Sequence, residues 1–548
     1  MRTSIARFIT GAAVAAAVLI GYGTLRAQVP DSTRRGVLPK LEIPEITIVG
    51  KKAITLPFAR KGEIYDVPLY EAPPPDSGLL ADRPPIGLPE GSLPRYEQRE
   101  MPWRVSAEAS AGRFGSLGAR GYVDYHTQTW NLSTTGGHRH TNGHVPGSSG
   151  NEFDLGGRYT SLVSTDNDLL RNFRVNGDLS FRHDAFGMFG LSPAGTDRTR
   201  DVYSIGVAAS SIRRSGLVFD LAVSADIFSV DDARSGADSG ITVTTPRLRA
   251  GVTADVGVAR VIAEFRYTNS SLDYQNSMPS PSLYTMVGAV QWRISEYFFI
   301  KTGGEFSGGS GTDEVPRTRI SPLAELEWKI NPGRKVRFWF RPGMTLTFYP
   351  ELAGKIPFLA REVMMIPGEK TVDLGASIWY NSGMLTLEAS GDYTRSTNRP
   401  LIVTDSGRIR PEFAQTWQAI LKIEGSLKPS AGFRINFNGA VQPARERGGN
   451  SQIPMTPLGE AGVQGEFDLI GGWTFTAASR YWYRQNTDRA GAQSIGGVLL
   501  VDAGASTDLI PHLLISAGIH NLFDRRYSWW SGYPARGLDL FFMVKARL

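Results

Sequence analysis

The 548-residue sequence predicts an all-β chain: a transmembrane antiparallel outer-membrane β-barrel of about 22 strands, preceded by a proline-rich N-terminal arm. Three observations predict it. Apolar and polar residues alternate with period two through most of the chain, tight turns alternate with long polar connections, and aromatic residues gather beside the tight turns.

At the N-terminus, Arg2 and Arg7 precede an apolar run from Phe8 to Ile20, and small residues lead to a cleavage site after Ala27. Residues 1–27 therefore read as an export signal peptide, although Leu25 stands where a smaller residue is usual. No other apolar stretch approaches the ~20 residues a spanning helix needs, so membrane crossing rests on strands. Cysteine is absent although export permits disulfides, so strand closure has to hold the fold. The mean hydropathy is slightly negative, as expected when only one face of each strand meets lipid. A net charge of +6 with no concentrated basic patch argues against nucleic acid as a partner.

Residues 28–102 differ from everything that follows. Pro73, Pro74, Pro75, Pro84, Pro85, Pro89, Pro94 and Pro102 crowd this stretch and deprive it of regular sheet donors. It reads as a periplasmic or lumenal arm rather than a domain. Its one hydrophobic island runs from Ile43 to Gly50.

Residues 103–548 carry the barrel pattern. Phe173, Val175, Gly177, Leu179 and Phe181 alternate with Arg174, Asn176, Asp178, Ser180 and Arg182. Leu326 and Trp328 alternate with Glu325 and Glu327, which predicts lipid contact for Leu326 and a lumenal place for Glu325. From Leu538, the residues Leu540, Phe542, Val544 and Ala546 share one face of a terminal strand. Alternation alone does not separate a barrel from a soluble sandwich; loop parity does. Arg213–Ser215, Ser295–Glu296, Asn331–Gly333, Asn381–Gly383, Lys428–Ser430 and Ile510–Pro511 read as tight turns. Between them lie long connections such as His138–Gly150, Asp184–Thr199, Pro350–Lys370, Arg395–Pro411 and Asp524–Gly537. Ser161–Asn172 is the exception, long on the side that should be short. Trp292, Tyr297, Phe298, Trp328 and Phe338 flank tight turns, where a headgroup layer satisfies both ring and polar edge.

The segment Asn521-Leu522-Phe523-Asp524-Arg525-Arg526-Tyr527, followed by Tyr533–Gly537 and a closing strand, resembles the C-terminal end of TonB-dependent outer-membrane receptors. Pro367–Gly375 resembles that family's glutamate-containing barrel segment, and the resemblance covers residues 360–548. Leu548 departs from the usual terminal phenylalanine. Glu45 and the five residues Ile46, Thr47, Ile48, Val49 and Gly50 resemble a TonB-contacting box, an extended apolar segment that adds to a partner's sheet edge. Residues 51–102 are too few and too proline-rich for the family's plug domain, so the resemblance is to a receptor barrel without its plug.

The resemblance implies a role in solute uptake across the outer membrane, with lipid, TonB and a separate plug or lid protein as partners. The alternatives are a structural or assembly barrel closed by a partner, and a passive porin-like channel. His138, His140 and His144 form the one histidine-rich stretch; with no further converging ligand they read as a solvated loop, and no metal or cofactor is expected. Asp231, Asp232 and Asp238 lack calcium-loop spacing. No nucleophile, base and acid set stands out, so no enzyme is expected.

Overall fold

Side chains on a strand point alternately to its two faces, and from Trp103 onward the chain uses that alternation to build a single closed sheet. The computed structural model describes residues 103–163, 173–189, 196–211, 216–233, 240–273, 281–310, 318–360, 365, 367–405, 408–469, 471–530 and 533–547. The expected signal peptide, the arm and the Ile46–Gly50 segment lie outside the described residues.

The barrel has 22 antiparallel strands. The first six are β1 (Trp103–Gly112), β2 (Ser116–His126), β3 (Trp130–Thr141), β4 (Gly150–Val163), β5 (Phe173–Met188) and β6 (Thr196–Ser211). Next come β7 (Leu217–Ala233), β8 (Ile241–Val256), β9 (Ala259–Asn269), β10 (Ser282–Arg293) and β11 (Phe298–Ser310). β12 (Thr318–Asn331), β13 (Arg334–Phe340), β14 (Gly368–Asn381), β15 (Leu385–Asp405), β16 (Arg408–Ser430) and β17 (Phe433–Val441) follow. The last five are β18 (Gly459–Leu469), β19 (Trp473–Trp482), β20 (Val498–Ile510), β21 (Leu513–His520) and β22 (Asp539–Arg547). Each strand pairs with its sequence neighbour, and Ser106–Gly112 of β1 pair with Arg547–Phe541 of β22 to close the ring.

The expected parity holds. One rim carries tight turns such as Asn331–Gly333, where the Gly333 amide donates to Asn331 Oδ1 at 3.0 Å. The other rim carries the long connections. The one long connection on the short-turn side, between Val163 and Phe173, stands where it was expected. One expected loop is strand instead. In the 395–411 stretch, Arg399–Asp405 pair with Ala414–Arg408, so β15 and β16 rise as a tall hairpin of 21 and 23 residues. A bulge between Ser396 and Arg399, with Asn398 at φ 49°, shifts the register and hides the period-two pattern from a sequence reading.

Outside, Leu179, Ile205, Leu221 and Val223 are about half exposed and form the lipid-facing band. Two aromatic rows bound it. Trp103, Tyr125, Trp130 and Tyr159 follow one another near the short-turn rim at centroid spacings of 4.2, 4.9 and 6.1 Å. Phe153, Phe181 and Tyr203 form the other row, at 6.0 and 4.7 Å. Tyr159 and Phe153 sit on the same strand, roughly 20 Å apart at ~3.3 Å per residue. Leu326 pairs with Phe338 on this outer face, while Glu325 turns inward to ion pairs with Arg337 at 2.6 Å and Arg341 at 2.8 Å.

Leu179→Arg is expected to cost roughly 2–4 kcal/mol of barrel stability, and Ser180→Arg on the lumenal face far less. Folded yield, scored by the faster gel migration of an unheated barrel, checks this; equal losses from both changes would place the two residues on the wrong faces.

Candidate functional site at the loop rim

The inner wall is a ladder of opposite charges, because every second side chain of each strand faces the lumen. Arg182 pairs with Glu152 and with Asp184 at 3.0 Å each, and Glu264 pairs with Arg249 at 2.7 Å and Arg266 at 2.6 Å. Across β14–β19 the wall hollows into a cavity of about 380 Å³. Trp379, Glu388, Glu424, Asn436, Gln464 and Arg480 line it. Glu388 and Glu424 face one another in register, and Lys422 meets Glu424 at 2.5 Å.

Towards the loop rim the inner face changes character. Phe228 and Val230 of β7 and Ile241 and Val243 of β8 are at most 2% exposed, covered from above by the connection between β13 and β14. That connection, expected as a long polar loop, contains helix α1, Tyr349–Lys355. Its signals were present in the sequence. Pro350 stands in the first turn, Glu351 beside the helix N-terminus and Lys355 in the last turn, each favourable there. Tyr349, Leu352, Ala353 and Ile356 are spaced as one apolar helix face, and all four are buried.

Beyond α1 the chain continues across the mouth. The Phe358 ring stacks on Tyr533 of the β21–β22 connection at 3.8 Å and 18°, with Phe189 edge-on to both. The Ala360 amide donates to Ile409 O at 2.7 Å, and Leu359 bridges Ile409 in parallel. Two arginines of β6 reach this segment from below. Arg198 Nη1 donates to Pro357 O at 2.8 Å and Leu359 O at 2.7 Å, while Asp232 takes its Nε and Nη2. Arg200 Nη1 donates to Ala353 O at 2.7 Å, and its Nη2 donates to Asp184 at 2.7 Å.

The histidine-rich stretch does not converge. His140 lies between Asn151 Oδ1 (2.6 Å) and Asn142 Oδ1 (2.9 Å). His138 shares its outer strand face, one period further from the rim, opposite Phe153. His144 lies beyond the end of β3, its Nε2 at 2.7 Å from Pro534 O. Asp232 is held by Arg198, and Asp238 lies outside the described residues.

The C-terminal motif is a structural corner. Asn521 is 3% exposed at φ 51°; its amide donates to Asp502 at 2.9 Å, its Nδ2 to Arg525 O at 2.8 Å, and its Oδ1 accepts from the Arg525 amide at 2.9 Å. Asp524 follows at φ 49° and takes the Leu538 amide at 2.7 Å, one residue before β22 begins. Leu522 and Phe523 are exposed, and Tyr527 packs edge-on to Trp529 at 5.5 Å. The motif thus sets the start of the closing strand. Asn521→Ala is expected to cost about 2–4 kcal/mol through lost buried hydrogen bonds and left-handed strain, with Asn521→Gly recovering about 1 kcal/mol of it. Urea unfolding midpoints of the two variants check the order.

No protein-family model matches the sequence, and neither does any curated protein. Solved structures do match it. The copper transporter OprC superimposes with a TM-score of 0.61 at 13% identity, covering 81% of this chain and 80% of that one. The ferric yersiniabactin uptake receptor FyuA from Yersinia pestis gives 0.63 at 14% identity over 82% and 81%. The FrpB iron transporter from Neisseria meningitidis gives 0.65 at 9% identity over 82% of each chain. Identities this low speak for the fold alone, the closed 22-stranded antiparallel barrel that this chain shares with those transporters and receptors.

Proposed function

We propose that the chain is an outer-membrane receptor that admits a solute at the loop rim and passes it inward through the charged lumen, driven by a TonB-type partner. The carrying observation is the asymmetry of the rims among the described residues: connections packed into an apolar cluster at one end, standing over a polar lumen. The fold likeness supports this, since the neighbours are named as transporters and uptake receptors for copper, iron and a ferric siderophore. In this reading the long-loop rim faces outward, residues 1–27 direct export, residues 28–102 serve as a periplasmic or lumenal arm, and a plug or lid protein adds closure. No catalytic step is assigned to it.

Coupling falls to Ile46, Thr47, Ile48, Val49 and Gly50, an apolar run able to add as a strand to a partner's sheet edge. Because the chain has no cysteine, Val49→Cys carries a single thiol. It is expected to form a disulfide with a cysteine-bearing TonB periplasmic domain, and Ile48→Pro is expected to abolish the adduct by removing a strand donor. An adduct that survives Ile48→Pro, or none at all, would leave a passive or partner-closed barrel.

A further inference from the structure

We propose that Tyr349–Ala360 of the β13–β14 connection is a strap tied across the mouth of the barrel, and that Arg198 and Arg200 are the ties that hold it shut. The inference concerns the strap itself and takes from the reading above only that the long-loop rim faces outward.

The strap is rooted between β13 and β14 but makes its contacts elsewhere. Helix α1 lies on Phe228, Val230, Ile241 and Val243 of β7 and β8, and Phe358 meets Tyr533 from the β21–β22 connection. In a closed ring the strands β7, β14 and β22 stand about a third of the circumference apart. A segment joining all three runs across the mouth rather than along the wall.

Its attachment is directional and local. The carbonyls near a helix C-terminus have no intrahelical donors and carry partial negative charge. Ala353 O is such an acceptor, Pro357 O and Leu359 O lie in the segment just past the helix, and the two arginines supply the donors to all three. Arg198 is 3% and Arg200 7% exposed, so each guanidinium is buried and depends on its own carboxylate, Asp232 or Asp184. Beyond these bonds the strap has one apolar helix face, the Glu351 pair with Arg247, the Phe358 ring against Phe186, Phe189 and Tyr533, and one backbone bridge to Ile409. No ladder of backbone hydrogen bonds joins Tyr349–Ala360 to a barrel strand among the described residues. A segment held by side chains and one bridge, without such a ladder, leaves as a unit once the ties go.

Thr245 reports on it. This residue is 1% exposed on the inner face of β8, between Val243, which lies under the helix, and Arg247, which pairs with Glu351 at 3.7 Å. Its Oγ1 makes no hydrogen bond among the described residues, so Thr245→Cys removes none. In intact cells making the full chain, this single thiol should react slowly with a bulky, membrane-impermeant maleimide. Adding Arg198→Ala with Arg200→Ala should raise the labelling rate at least tenfold in barrels that keep heat-modifiable migration. Arg198→Gln with Arg200→Gln, which keep side-chain length, serve if the alanine pair does not fold. Slow labelling in a folded double variant, or fast labelling with both arginines in place, would overturn the proposal.

Discussion

A backbone amide inside a bilayer has no water to bond to, and the chain from Trp103 to Arg547 is arranged around that constraint. A sheet meets it only by closing, so the pairing of β1 with β22 is the bond set on which the others depend. Without cysteine nothing covalent assists. The closing strand therefore has to arrive in register, and the Asn521–Asp524 corner delivers it. Two residues in the left-handed region turn the chain, Asn521 locks the turn with its own amide, and Asp524 receives the first amide of the returning segment. Asparagine and aspartate tolerate that backbone region better than other side-chain-bearing residues, which is the physical content of a motif first met as a family mark.

The same alternation that closes the sheet gives each strand two unrelated tasks. Outward residues form an apolar band between two aromatic rows; inward residues form ion pairs that a lumen accommodates and lipid would not. Near the loop rim the assignment on the inner face changes, and Phe228, Val230, Ile241 and Val243 point inward. Apolar side chains on a lumenal face need cover. Helix α1 supplies it, and thereby brings a chain segment into the mouth.

Most of the wall was legible in the sequence because period two and turn parity are local signals that twenty-odd hairpins repeat. The tall β15–β16 hairpin was not, since the Ser396–Arg399 bulge breaks the alternation and Pro400 reads as a loop residue. The rim was harder still. Helix α1 is one short amphipathic segment, and its partners on β7, β8 and β16 lie far away in the chain. Arg198 and Arg200 look in the sequence like any lumenal pair; only the fold shows that the Nη1 of each meets backbone carbonyls. For the three histidines the period itself gives the answer. Two residues apart on β3, His138 and His140 share the outer face, while His144 follows the end of the strand and turns to the mouth.

The rims also differ in what a change in them can do. Turns such as Asn331–Gly333 and Asn381–Gly383 are closed by their own side-chain amides and offer little beyond strand reversal. The loop rim is connected to the wall below it. Glu152 on β4 meets Arg182, Arg182 meets Asp184, Asp184 meets Arg200, and Arg200 holds Ala353 O of the strap. Each link is an ion pair or a charge-assisted hydrogen bond, and Asp184 is shared by two of them. A charged solute that draws Arg182 away from Asp184 leaves that carboxylate wholly to Arg200, and one that draws Asp184 away loosens Arg200 from its counter-charge. The wall and the strap are thus one continuous electrostatic path.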